Sequence, residues 1–331
     1  KPRAEPNEVR TARARLLQGL AVMLAAVAGV AIGIALVILL ETRDARADEV
    51  ALPAEFQAAE QTYRTEGPEA ALPEFERLLA QYRASGDARA EAGAIRFIGE
   101  IHWRLGDFEP AERYLLEALA ATAAIDDRAQ QAKVLNVLGL LNWDLGRYDP
   151  ALQRFGQAGE LAAEIGDARL QGAVLNNIGL VRDELGEYDV SLDTYREALA
   201  RYEAVDFPRG RGDTLGNIGG LQLLLGHYRE ALAYYEQAMA ISEQLQSVTA
   251  MSQDHGNIAL CQLGLGDTAA ALEHFDRAIE LAAQAGSQQD GAFWTRGKAN
   301  ALIRQGRHSD GLALHRAAVE QYQALGARTE A

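Results

Sequence analysis

The sequence predicts an all-α protein: a solenoid of helix pairs preceded by a single membrane-crossing helix. Two observations carry that reading. One is an uncharged, apolar run near the N-terminus that is long enough to cross a bilayer. The other is a ladder of glycines recurring every forty residues through the rest of the chain, the mark of a repeat architecture. Composition agrees with a folded chain, since 48% of the 331 residues are hydrophobic and only 8 are Pro. Length alone argues for about two domains, but a repeat array has no single closed core and escapes that rule. The 32 Lys and Arg against 47 Asp and Glu leave a formal charge of −15, which argues against nucleic acid as a partner because phosphate binding needs clustered cations. One cysteine, Cys261, excludes an intrachain disulfide framework and a cysteine-rich zinc site.

Residues 1–15 form a basic tail with Lys1, Arg3, Arg10, Arg13 and Arg15. From Leu16 to Leu40 no residue is charged, and from Gly19 onward none is polar, so residues 16–40 read as a transmembrane helix. The fifteen residues after it hold only Arg43 and Arg46 as basic residues. That asymmetry puts the N-terminus in the cytoplasm and everything after Leu40 outside it, in the periplasm of a bacterium. A cleaved secretory signal is the competing reading, with Ala45-Arg46-Ala47 as its small-x-small site, but the apolar run is long for one and Glu41-Thr42-Arg43-Asp44 is too charged. Within the span, Gly29-x-x-x-Gly33 would let two such helices approach closely as a homodimer. Residues 41–51 are a short polar linker.

Residues 52–331 repeat. Gly106, Gly146, Gly186, Gly226, Gly266 and Gly306 stand forty apart and Gly67 precedes the first by thirty-nine, giving about seven units of which the first is irregular. Seven residues before each of the six a small residue recurs: Gly99, Gly139, Gly179, Gly219, Ala259 and Ala299. Beyond the turn, small residues recur again, as at Ala151, Ser191 and Ala231 and at Ala158, Ala198 and Ala238, with rings such as Phe155, Tyr195, Tyr235 and Phe275 between them. Small residues at fixed spacing mark helix backbones in close contact, the rings fill space between neighbouring pairs, and the glycine ends the first helix in a left-handed cap. A second turn falls at Gly86, Asp126, Gly166, Asp206, Gln246, Gly286 and Gly326, with Asp87, Asp127, Asp167, Ser247 and Ser287 beside it as N-caps. Each unit is then helix, tight turn, helix, looser turn.

These columns resemble the tetratricopeptide repeat, whose usual unit has about 34 residues. The forty-residue form is similar to the lengthened repeats of spindle-orientation adaptors, kinesin light chains and many bacterial regulators. The resemblance covers Leu52 to Ala331 and implies a right-handed superhelix whose first helices line a concave groove that grips an extended or helical peptide. Two places depart from it. The sixth turn, Gln305-Gly306-Arg307-His308, lacks the Leu and the ring, and Arg182 and Gln222 stand where a first helix often carries Tyr, so looser packing is expected there. After Gly326 the chain reads as the opening of another first helix, and without a visible polar cap the array is expected to continue past Ala331.

Counted in phase, the inward columns hold Asn136 and Asn176, then Asn177, Asn217 and Asn257 one position on, with Leu140, Leu180 and Leu260 further along and Trp103 and Trp143 a turn beyond. An amide both donates and accepts, so an Asn ladder can bind a peptide's main chain without demanding its sequence. In the adaptors that the array resembles, such columns do that job; exposed Trp residues would add anchors. The alternative is that the Asn residues only tie helices and loops together and that the Trp pair is interhelix packing. Arg296 and Asn300 resemble part of the carboxylate clamp of chaperone adaptors, whose other residues find no match here.

Signs of catalysis are few. His102, His227, His255, His274, His308 and His315 fall at scattered phases without metal-ligand spacing, and no nucleophile elbow or phosphate-binding glycine loop occurs. Cys261 lies in the apolar phase of a helix, as an inert core thiol. No metal, no cofactor and no enzymatic activity are expected. The sequence predicts a membrane-anchored scaffold that binds protein or peptide partners, with basic or amphipathic segments favoured by its acidity. The alternative is the sensory region of a larger receptor enzyme, a protein kinase or nucleotide cyclase, whose catalytic domain lies beyond these ends.

Overall fold

A computed structural model describes residues 52–329; the basic tail, the Leu16–Leu40 span with Gly29 and Gly33, and nearly all of the linker lie outside the described residues. All regular structure among the described residues is helical. First helices of the pairs are α1 (Ala54–Thr65), α3 (Ala88–Arg104), α5 (Arg128–Asp144), α7 (Ala168–Glu184), α9 (Pro208–Leu224), α11 (Val248–Leu265) and α13 (Gln288–Arg304). Their partners are α2 (Pro68–Ser85), α4 (Phe108–Ala124), α6 (Tyr148–Glu164), α8 (Tyr188–Ala204), α10 (Tyr228–Gln244), α12 (Thr268–Gln284) and α14 (His308–Thr329). None of the described helices is long and apolar enough to cross a membrane. The chain divides into two compact units within α9, one ending at Thr214 and the other starting at Leu215.

The turns follow from local chemistry. In α5, Gly146 adopts φ 67°, its N–H donates to Trp143 O at 2.8 Å, and Arg147 N donates to Asn142 O at 2.8 Å. Those two bonds close a Schellman cap over carbonyls the helix leaves open. Turns between pairs are built the same way: Gly166 N donates to Ala163 O and Asp167 N to Ala162 O, at 3.1 and 2.8 Å. The second turn is therefore as tight as the first, against the expectation of a looser one. Asp126, Asp206 and Gln246 take the left-handed conformation at φ 52°, 47° and 53°, where the other turns use Gly. The expected N-caps form: Asp87, Asp127 and Asp167 accept from the amides of Ala90, Gln130 and Leu170 at 3.0, 3.1 and 3.0 Å. Ser247 and Ser287 accept from Ala250 and Asp290 at 3.5 and 3.3 Å. At Gly326 the expected turn is absent, because α14 runs through to Thr329. Ala327 follows it where five of the turns between pairs place an N-capping Asp or Ser and the sixth, at Asp206, places Phe207 ahead of Pro208, so neither a cap nor a Pro competes there with the continuing helix.

Packing within each unit rests on close approach. A Cβ added at Gly139 would fall 2.4 Å from Phe155 Cε1, one at Gly179 2.4 Å from Tyr195 Cε1, and one at Gly99 2.8 Å from Leu115 Cγ. Each large side chain of a second helix thus lies on the small residue of the first helix in its own pair. The sequence reading had these rings filling space between neighbouring pairs; Phe275 does so, 2.5 Å from a Cβ added at Gly297 of α13, and so does Tyr202, which covers Gly172 of α7 and Gly210 of α9 at 2.6 Å each. The sixth turn is not loose either. A Cβ at Gly311 would meet Ile303 Cγ1 at 2.5 Å, and Arg304 Nη1 donates to Leu263 O at 3.0 Å. Arg182 pairs with Glu187, and buried Gln222 bonds His227 across its turn at 2.8 Å, so both polar residues find partners.

This geometry makes Gly179→Ala and Gly216→Ala move stability in opposite directions. The first forces a methyl into Tyr195 and should cost about 1–3 kcal/mol. At Gly216 an added Cβ meets nothing within 4 Å, so that change should gain roughly 0.5–1 kcal/mol from helix propensity. Thermal melts of the two variants, followed by circular dichroism, check the opposite shifts.

Candidate partner-binding face

In the unit that ends at Thr214, the first helices are the inner layer. Helix α3 buries every residue from Ala92 to Ile101 and α5 every residue from Val134 to Trp143, while α4, α6 and α8 bury only one stripe. A helix buried on all sides must satisfy its polar side chains internally.

The predicted site residues show how this is done. Asn177 Nδ2 on α7 donates to Asn136 Oδ1 on α5 at 3.0 Å, and Thr214 Oγ1 on α9 donates to Asn176 Oδ1 at 3.1 Å. All three Asn side chains are buried, so these amides link successive first helices. Asn177 Oδ1 is buried without a hydrogen-bond partner. Trp103 Nε1 donates to Asp144 Oδ2 at 2.6 Å, joining α3 to α5, and Trp143, Leu140 and Leu180 are buried. Burial raises the Asp144 carboxyl above the usual range, against the opposing pull of the Trp103 bond. In the unit that begins at Leu215, Asn217 is buried and Asn257 is half-buried. Arg296 stacks over the Phe293 ring at 5.0 Å, and exposed Asn300 bonds His315 Nε2 at 3.0 Å.

Some polar arrangements were not foreseen. Arg96 and Glu100, four apart on α3, form a buried ion pair, and burial raises the Glu100 carboxyl. Tyr195 Oη donates to Asp183 Oδ2 at 2.8 Å, yet burial dominates and lifts Asp183 to about 6. Ser242 Oγ donates to Asp254 Oδ2 at 2.6 Å, and burial lifts that carboxyl to about 7. His255 and His274 meet at 2.8 Å between Nδ1 atoms. The sequence signal for the Asp254 and His255 arrangements was there, as polar residues standing in otherwise apolar columns, but it does not say which partners they meet. Cys261 is fully buried, which pushes its thiol up to about 12 and leaves it unreactive. Among the described residues no three His, Cys, Asp or Glu side chains gather to hold a metal ion.

Comparison with known proteins places this architecture. Residues 91–164 and 170–244 match the tetratricopeptide repeat family, and residues 255–284 match a second tetratricopeptide repeat profile. Together these stretches are more than half of the chain, which therefore belongs to the tetratricopeptide repeat proteins. No curated protein matches it. Among solved structures, the apo form of RapI aligns at 17% identity with a TM-score of 0.64, covering 82% of this chain and 97% of that one. The Rap conjugation gene regulator of plasmid pLS20, in complex with the Phr* peptide, aligns at 16% identity with a TM-score of 0.63, covering 87% and 81%. BtubC (BKLC) from P. vanneervenii aligns at 22% identity with a TM-score of 0.55, covering 71% and 93%. At these identities the likeness is one of fold.

Two outcomes follow from the buried polar contacts. Replacing Asn136 by Ala leaves the Asn177 amide buried without its acceptor and should cost about 1–3 kcal/mol, read as a lower denaturant midpoint in urea. Asp183, with its folded-state value raised to about 6 from an ordinary 3.8, holds its proton longer in the folded state. Its contribution is therefore fully present below pH 3.8 and is lost as pH rises to about 6. Asp183→Asn should remove that part of the pH dependence; urea melts from pH 4 to 7 on both proteins check it.

Proposed function

We propose that this chain is a membrane-anchored scaffold whose tetratricopeptide array captures a peptide, or an extended segment of a protein, along its first helices. The observation that carries this reading is the Asn column. In the unit ending at Thr214 its members are spent on helix-to-helix bonds, whereas Asn257, in the unit beginning at Leu215, is only half-buried. A half-buried amide can both give and take a hydrogen bond with a peptide main chain. The pLS20 regulator, similar in fold, is known in complex with a peptide, which supports the same use of the architecture. The right-handed winding of the family would give that amide a concave setting. The acidic charge favours basic or amphipathic segments, in rate more than in affinity. Binding without catalysis is the role proposed, and residues 16–40 are its anchor, with the array outside the cytoplasm.

Peptides selected from a random displayed library on the wild-type protein serve as the probe. Their affinity for the Asn257→Ala variant, measured by fluorescence anisotropy, should fall about tenfold while the melting temperature stays put. Unchanged affinity sinks the groove. For the anchor, alkaline phosphatase fused after Glu330 should be active in bacterial cells and sediment with membranes. A fusion active only as a cytoplasmic reporter reverses the orientation.

A further inference from the structure

The sixth helix pair departs from the others at two positions that meet. The first-helix column that holds Ile95, Leu135, Leu175 and Leu215 in earlier repeats holds His255 in α11. The second-helix column that holds Tyr114, Arg154, Thr194 and Tyr234 holds His274 in α12. Both rings are half-buried, their Nδ1 atoms stand 2.8 Å apart, and their centroids are 5.0 Å apart, so the rings face almost end to end. At that separation one Nδ1 must carry a hydrogen and the other must be bare, because two bare nitrogens repel and two N–H groups collide. The contact holds one hydrogen; it has no room for a second.

We propose that the His255–His274 pair is an acid-operated joint, which locks α11 to α12 while the two rings share one hydrogen and releases this sixth pair when acid protonates both. The charged groups around it come from three helices. Glu236 on α10 and Glu273 on α12 favour a cationic His274, whereas Arg277 on α12 disfavours a cationic His255. Lys298 of α13 is already paired with Asp276 of α12. Burial, with His274 and Arg277 adding to it, presses His255 down to about 4, and burial also lowers His274. In an opened sixth pair the imidazoles would protonate near the ordinary 6.5. Between pH 6.5 and about 4 the open form therefore binds more protons than the closed one, and the lock weakens as pH falls through that window. Asp254, next along α11, acts in the opposite sense: lifted to about 7, it is neutralised in place by acid and favours the closed pair. Asn257 lies on the same helix, so release would be felt at the proposed groove; that consequence rests on the functional reading above, and the joint itself does not.

Hydrogen exchange of the whole chain, followed by mass spectrometry and corrected for intrinsic rates, reads the joint directly. In the Asp254→Asn chain, which removes the opposing carboxyl, protection across residues 248–284 should fall by about tenfold or more from pH 7.5 to 5.0, while α3 to α8 lose none. His255→Leu and His274→Tyr each restore the residue type of the other repeats, and either, added to Asp254→Asn, should abolish the fall. Protection in the unaltered chain, in which Asp254 opposes the joint, should fall less. Protection that holds at pH 5.0 in the Asp254→Asn chain overturns the proposal. So does an equal fall in whichever of the two histidine variants is folded at pH 7.5.

Discussion

The structure depends on one contact made over and over: a bulky side chain of the second helix lying directly on a small residue of the first. Where Gly139 meets Phe155 and Gly179 meets Tyr195, no room exists for even a methyl group. Such contacts set the distance between the helices of a pair, and every other requirement follows from that distance. Close backbones demand short connections, so both turns shrink to three residues and both need a left-handed residue to close them. At Asp126, Asp206 and Gln246 the chain accepts that conformation without Gly, which shows how firmly the packing dictates the turn.

The same closeness buries the middles of α3 and α5 on all sides and thereby changes what polar residues of the inner layer do. A solvent-facing Asn is free to meet a ligand. A buried one must first satisfy itself, as Asn136 does with Asn177 and as Trp103 does with Asp144. These bonds run from one first helix to the next, so the inner layer is fastened by directional contacts where nonpolar packing alone would tolerate slippage. The consequence is a division of labour along two adjacent sequence columns: Asn136, Asn176 and Asn177 hold the array together, and Asn257 is only half-buried.

Repetition also makes departures readable. In an array where equivalent positions are filled alike, Asp254 and His255 stand out in columns that hold Ala94, Val134, Val174, Thr214 and Trp294, and Ile95, Leu135, Leu175, Leu215 and Thr295. Trp294 of α13 is fully buried against Gly256 of α11, so the sixth and seventh pairs pack as tightly as the rest despite their polar content. A tightly packed repeat that keeps titratable groups inside couples its packing to protons, which an apolar repeat cannot do.

By itself the sequence determined what depends on near neighbours in the chain. The turn glycines, the five N-caps and the small-residue columns all appear where the forty-residue period puts them, because a cap is a bond between residues three to five apart and needs no distant partner. Gly326 is the instructive exception: its residue type fits a turn, but its successor offers no cap, and α14 continues. Tertiary structure alone decided everything that depends on which side chain lies across the gap. It put Phe155 and Tyr195 inside their own pairs, spent Asn136, Asn176 and Asn177 on neighbouring helices, and joined His255 to His274 nineteen residues away. Phase along one helix gives a residue's direction and nothing of its distance to the next helix, and burial and hydrogen bonding are set by that distance.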